Sequence, residues 1–309
     1  MAACPAEFIF LGGAHLDQEL RLAQPAVMGS SNPAAARIIP GGTALNSAGV
    51  AASLGMNCLL AGPVGNDAAG ETLRGVCRER GIADGLVATP GLNTGSYTVL
   101  IEPDGEVLIG AADMAIYDSV NTAWLEEHLT PQLAPGPAKN RGLFATANLS
   151  VEALSFLASG TEFSPAFKAA AAVSPAKAAR LLPFLDGLDL LFANLAEARA
   201  LAGDTSAEAL ELTRQLAAKG VRAGIITAGS APVTFWNGAQ SGTITLGPVT
   251  KIVDTNGAGD ALAGAVLAML ARGNDLESAI ETGLEAAAIC LAQNGPYPAP
   301  QSLRALENR

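Results

Sequence analysis

From residue 143 onward, short apolar runs alternate with stretches of helical periodicity, and this alternation leaves the chain few architectures. The runs at 143–147, 166–173, 188–193 and 223–227 read as buried strands, and 151–157, 176–182, 197–202 and 207–219 as the helices between them. Strands that alternate with helices predict a mainly parallel sheet covered by helices on both faces, an α/β fold.

The first half fits the same scheme with one interruption. Residues 8–11 form an apolar run ending at Gly12-Gly13, a first strand leaving the sheet at a tight turn. A helix over 46–55 stops at Gly55, a strand follows over 58–64, and Gly65-Asn66-Asp67 opens a second helix that runs to about Arg80 and ends at Gly81. The interruption is two hairpin-like segments. Residues 15–39 contain Pro25 and Ser31-Asn32-Pro33, and residues 94–109 alternate in period two around Pro103-Asp104-Gly105. Both fall on one side of an otherwise α/β chain, so segments of about 15–39 and 94–111 are expected to form a small sheet, a lid, over an active-site mouth. A further hairpin is expected at 234–236 with 241–246, closing helices at 257–272 and 276–292, and a surface loop at 133–142. There is no internal repeat, and all of 1–309 reads as one domain.

Charge narrows the partners. A net charge of −11 opposes docking onto nucleic acid or anionic lipid, which both require a cationic footprint. A small molecule is the expected partner. The longest apolar stretch, 261–271, is about half of the roughly 20 residues that span a bilayer, and it is interrupted by Gly264. Residues 2–8 include Pro5 and Glu7 and do not read as a targeting segment, so a cytoplasmic protein is expected. Cys4, Cys58, Cys77 and Cys290 are scattered and accompanied by only two histidines, a pattern of reduced thiols rather than of disulfides or a zinc site.

Chemistry concentrates at Asp254-Thr255-Asn256-Gly257-Ala258-Gly259-Asp260, just ahead of an apolar helix. Small residues there let backbone N–H groups approach an anion, and the helix dipole adds partial positive charge, which together make a phosphate cradle. A carboxylate beside that anion is awkward unless it accepts a proton from an attacking hydroxyl, so Asp260 fits a general base. The same residues also suit a tight turn and an ordinary helix start. Neither GxxxxGK[ST] nor GxGxxG occurs at this position. Asp17 and Asn46 stand beside glycines where short side chains can pair hydroxyls, or alternatively form a turn and cap a helix. Asn194 and Glu197 have capping-box spacing after an apolar run. His15, two residues before Asp17 on an extended segment, points the same way and is either a substrate contact or a structural histidine.

With these motifs in view, the sequence resembles the ribokinase-like (PfkB) carbohydrate kinase family over nearly its whole length. Gly41-Gly42 with Asn46, Ala48, Leu54 and Gly55 is similar to the family's N-terminal signature, Gly65-Asn66-Asp67 with Gly70 to its GxDxxG element, and 254–260 to its C-terminal signature. The resemblance implies a three-layer sandwich with a small β-sheet lid and ATP-dependent phosphorylation of a primary hydroxyl on a sugar or nucleoside. It further implies that Asp260 is the base, with Gly257, Ala258 and Gly259 stabilising the transferred phosphoryl group. Asp17, Gly41, Gly42 and Asn46 would hold the acceptor. Asn194 and Glu197 would act on phosphates and hydrated Mg2+, with Glu197 reaching the ion through water. Thr227, Gly229 and Asn294 would bind nucleotide. A monovalent cation such as K+ near Asp254 is also implied by relatives, and the residues themselves do not decide it.

Within the family, Ser31-Asn32-Pro33, Asp113-Met114-Ala115-Ile116-Tyr117, Asn148-Leu149-Ser150 and Asn194-Leu195-Ala196-Glu197-Ala198 resemble the pseudouridine kinases, which adds Asp113 and Asn148 to the acceptor site. Thr146 departs from that subgroup's acidic residue, and Ala231-Pro232 from its glycine. The alternatives are a kinase for ribose, fructose, inosine or adenosine, and a non-catalytic nucleoside or sugar sensor, against which the retained Asp260 argues. Apolar positions on the hairpins suit a homodimer.

Overall fold

The computed structural model describes residues 4, 7–133, 141–159, 167–245, 247, 249 and 251–306. Most of the surface loop expected at 133–142, and most of segment 2–8, lie outside the described residues.

Strand β1 (Glu7–Leu11) leads into an antiparallel pair, β2 (His15–Leu22) and β3 (Ala34–Gly41), and then helix α1 (Thr43–Ser53). Next come β4 (Asn57–Gly65), α2 (Ala68–Glu79), β5 (Ala83–Thr89) and a hairpin of β6 (Ser96–Ile101) with β7 (Val107–Asp113). Short helices α3 (Thr122–Trp124) and α4 (Thr130–Leu133) flank a π-helical turn at Leu125–Leu129 and precede β8 (Arg141–Thr146). The alternation expected from 143 onward follows: α5 (Val151–Ser159), β9 (Phe167–Ala171), α6 (Pro175–Ala178), β10 (Leu190–Asn194), α7 (Leu195–Ala202), α8 (Ala209–Ala218) and β11 (Ala223–Ala228). Strands β12 (Ala231–Asn237) and β13 (Gln240–Ile244) pair as a hairpin, and α9 (Ala258–Ala271), α10 (Leu276–Leu291) and α11 (Pro300–Leu303) end the chain of elements.

Nine strands form one sheet in the order β13-β12-β11-β10-β9-β8-β1-β4-β5. It is parallel from β11 through β5, and at one edge only β12, between β11 and β13, runs against the others. Alternation along β1 shows why the strands read as continuous apolar runs. Phe8 and Phe10 pack into the core on one face, against α1, α9 and α10, while Ile9 and Leu11 pack into the core on the other. Both faces of the strand are covered, so neither side tolerates polar residues.

The chain order reverses at β1. Strands β4 and β5 lie to one side, and β8 onward to the other. Loops leaving the carboxyl ends of β1 and β8 therefore diverge and leave a crevice, the usual ligand position in an open parallel sheet. The expected small sheet is present as four strands in the order β3-β2-β6-β7. Its β2 and β6 are parallel, so the two hairpins join into one sheet.

Strand β5 and the bounds of the helices at 122–133 are absent from the sequence-based expectation, which placed only His128 on a helix. Strand β5 is a half-exposed edge strand containing Asp84 and Gly85, with neither an apolar run nor clean alternation. No described helix is long and apolar enough to cross a membrane. All four cysteines are free thiols.

Candidate active site

Asp260 lies in the first turn of α9, whose N-cap is Gly257, a left-handed residue with φ 76°. A Cβ on Gly257 would come within 2.0 Å of the Pro296 carbonyl oxygen, so both its dihedral and its surroundings require glycine. Gly259 differs. No protein atom lies within 4 Å of where its Cβ would stand, and it lines a cavity. That cavity, of about 250 Å³, is also bordered by Thr43, Val173, Asn194, Glu197, Thr227 and Asp260. Gly259 thus leaves the room at the helix start that an anion requires.

The Asp260 carboxylate is tied to α1: Asn46 Nδ2 donates to its Oδ2 at 3.0 Å, and Ser47 Oγ donates to the Asp260 carbonyl at 3.1 Å. Burial pushes the Asp260 carboxyl above the usual carboxylate range. Hydrogen bonds from Asn46 and Thr43 and the nearby His15 pull it back, and Asp17 opposes them. Asn46 does not cap a helix. Its side chain is buried within α1, which begins at Gly42 without a side-chain cap, and its Oδ1 is buried without a partner.

Asn194 and Glu197 form a complete capping box at the start of α7: Glu197 N–H donates to Asn194 Oδ1 at 2.9 Å, and Asn194 N–H to Glu197 Oε2 at 2.8 Å. Both side chains also border the cavity, so forming the helix start does not withdraw them from it. Desolvation raises the Glu197 pKa, the hydrogen bond to the Asn194 backbone lowers it, and the Asp260 charge raises it further. Among the described residues no cluster of three or more His, Cys, Asp or Glu could cage a metal ion.

Around the end of β1 the residues form a continuous wall. His15 Nε2 stands 3.3 Å from Asp17 Oδ1, and Asp17 Oδ2 lies 2.3 Å from where a Cβ on Gly41 would sit. A Cβ on Gly42 would meet the Gly13 carbonyl at 2.3 Å, and one on Gly13 would meet Asn148 Nδ2 at the same distance. Asp17, Gly41, Gly42 and Asn148 therefore close on the end of β1 from both sides of the crevice. Tyr117 is a core residue that fixes this turn, its hydroxyl accepting from Ala14 N–H at 3.0 Å and donating to the Ala14 carbonyl at 2.7 Å.

Of the expected site residues Asn194, Glu197, Thr227, Gly259 and Asp260 line the cavity, and the other ten lie outside its lining. Asp113 is exposed at the end of β7, paired in register with Ser96, whose other neighbour is Leu16 of β2. Gly229 turns at φ 62° after β11, and Asn294 is exposed beside Gly295. Asp254 is a brace, accepting from Asn256 N–H at 2.9 Å and Gly295 N–H at 3.1 Å.

Sequence reasoning missed Thr43, which borders the cavity, and two features of the loop after β9. Val173, also at the cavity, has φ 66°, the one non-glycine with positive φ among the described residues, in a three-residue turn closed by Ser174 N–H onto the Ala172 carbonyl at 2.8 Å. A β-branched residue held there is strained, and such strain gathers at functional sites. Lys177 donates from Nζ to Asn148 Oδ1 at 2.9 Å. Position alone, immediately beyond the carboxyl end of a central strand, was the available signal.

Comparison with known proteins agrees with this geometry. The family model described as pfkB family carbohydrate kinase matches residues 18–302. The pseudouridine kinase of Escherichia coli is 28% identical over 196 residues, 63% of this chain and 60% of that protein, so the match spans less than two thirds of that relative. An adenosine kinase of Saccharomyces cerevisiae is 31% identical over 289 residues, 85% of this chain and 81% of that protein. A ribokinase structure from Thermotoga maritima superposes with a TM-score of 0.84 at 22% identity, covering 98% of this chain and 99% of that one, which establishes a ribokinase-like fold. With its central sheet, its smaller second sheet and Asp260 at the start of α9, the chain belongs to the pfkB family of carbohydrate kinases, phosphotransferases acting on a hydroxyl group.

Proposed function

We propose that the chain is a cytoplasmic, ATP-dependent kinase for the 5′-hydroxyl of pseudouridine. The observation that carries the reading is the placement of Asp260, held by Asn46 at the cavity edge beside Gly259 and Glu197. Asp17, Gly41, Gly42, Asn46 and Asn148 hold the acceptor, with Asp113 at the rim, and Asp260 accepts the proton of the attacking hydroxyl. The backbone N–H groups of Gly257, Ala258 and Gly259 stabilise charge on the phosphoryl group in flight. Asn194, Thr227, Gly229 and Asn294 border the nucleotide. Mg2+, when bound, would neutralise phosphate charge, and Glu197 would hold it through water. A monovalent cation near Asp254 would share its oxygens with the backbone N–H groups of Asn256 and Gly295.

The β3-β2-β6-β7 sheet is read as a lid that excludes water from the site. Its exposed Ile38, Val107 and Ile109 support a homodimer formed through that sheet.

ADP release with Mg-ATP tests the function, using pseudouridine, uridine, inosine, adenosine, ribose and fructose as acceptors. Selective turnover of pseudouridine is expected. The full-length similarity to an adenosine kinase favours adenosine as the second reading, and preference for it would overturn the substrate but not the chemistry. Binding without turnover would identify a sensor.

A further inference from the structure

The acceptor wall contains a lysine that the family motifs leave unassigned. Lys177 follows the strained turn at Val173 and reaches back across the sheet end to Asn148 Oδ1. Arg180, on the same side, donates from Nη1 to the Asn148 carbonyl at 3.3 Å, so two cations converge on this one asparagine.

The contact fixes how Asn148 is oriented. An ammonium has donors only, so the amide oxygen must face Lys177 and the NH2 group must face away from it. That NH2 stands over Gly13, at the floor of the acceptor wall. Lys177 has two further N–H donors beyond the one given to Asn148. The wall therefore offers donors, and it matches a ligand edge carrying carbonyl oxygens. A uracil-type ring has two such oxygens. The exocyclic amino group of adenine is itself a donor, and facing this wall it would set donor against donor.

We propose that Lys177 is a specificity-determining residue that, by orienting Asn148 and adding its own donors, selects a carbonyl-bearing base over an aminopurine. The inference rests on the proposed nucleoside-kinase function, and it deepens that reading by naming the residue that selects the base.

The test compares wild type, K177M, K177R and N148D by kcat and KM for pseudouridine and adenosine at saturating ATP, and by calorimetric binding of both nucleosides without ATP. Methionine keeps the length of lysine but removes its donors and frees the Asn148 amide to turn over. The expected K177M result is a fall of roughly 10- to 100-fold in the pseudouridine-to-adenosine ratio of kcat/KM, carried by the KM for pseudouridine, with the KM for ATP unchanged. K177R restores part of the ratio. N148D replaces the NH2 donors by an acceptor and moves preference toward adenosine, and it supplies the answer if K177M does not fold. An unchanged ratio in folded K177M, or a loss confined to kcat, would overturn the proposal. Wild type that turns over only free sugars would instead defeat the nucleoside reading. If wild type binds nucleosides without turnover, the calorimetric ratio decides the role of Lys177 alone.

Discussion

Asn46 and Asp260, more than two hundred positions apart in sequence, share a hydrogen bond of 3.0 Å that pins the first turn of α9 to the first turns of α1. The donor faces the oxygen that must carry negative charge for Asp260 to act as a base, so the pair sets the protonation as well as the position of the carboxyl.

Removing that donor has a signed consequence. The Asn46 hydrogen bond lowers an Asp260 pKa that burial has raised. Asn46→Ala should therefore raise it further and displace the acid limb of kcat/KM toward higher pH. Profiles of kcat/KM against pH for variant and wild type check this, and an unmoved limb would mean that another group limits the rate.

Asp260→Asn should lower kcat by at least the roughly 10² to 10⁴-fold typical of a lost general base, with acceptor binding retained in calorimetry. Stability should move the other way. A carboxyl whose folded pKa is raised supports folding while protonated, and loses that contribution as pH climbs through the folded value. The variant should thus melt above wild type near pH 8, with the gap closing toward pH 4.

Gly257 and Gly259 should separate stability from activity. Gly257→Ala forces a Cβ onto the Pro296 carbonyl at a positive φ and should destabilise by about 1–3 kcal/mol in urea titrations. Gly259→Ala meets no protein atom and gains helix propensity, so its stability should hold or rise slightly while turnover falls. Equal loss of stability in both would undo the distinction.

Asp67 belongs to the scaffold. It caps α2 by accepting from Gly70 N–H at 2.8 Å, and it also accepts from Thr94 N–H at 2.8 Å and Thr94 Oγ1 at 2.6 Å. Desolvation alone would raise its pKa, but these hydrogen bonds outweigh it and hold the carboxyl below the usual range. Its contribution is present above the unfolded value and lost as pH falls. Asp67→Ala should cost about 0.5–2 kcal/mol at pH 7, and less in acid, by thermal melts across pH.

What could be read in advance tracks how local each signal is. The runs that became β8 to β11 were visible because a strand covered on both faces must be apolar, and Gly55 and Gly81 marked helix ends by their own backbone requirements. The strand β5 was hidden because an edge strand is half wet. At the site, Asp260 and the glycines stood out as a motif, and Asn194 with Glu197 as a spacing. Whether Asn46 caps a helix or supports the carboxyl depends on a partner far along the chain, which no local pattern encodes. Lys177 was overlooked for the same reason, since a lysine among alanines reads as solvated surface until Asn148 is placed against it.

The central position of β1 bears on how the chain is made. Its Glu7–Leu11 segment pairs on one side with β4 and on the other with β8, whose Arg141 partners Glu7. During synthesis one edge of this strand, flanked by Phe8 and Phe10, stays open until more than a third of the protein has followed it. An open apolar edge is a template for association between nascent chains. Ribosome-stalled fragments ending before β8 should accordingly bind chaperones or aggregate, and fragments that include it should become protected.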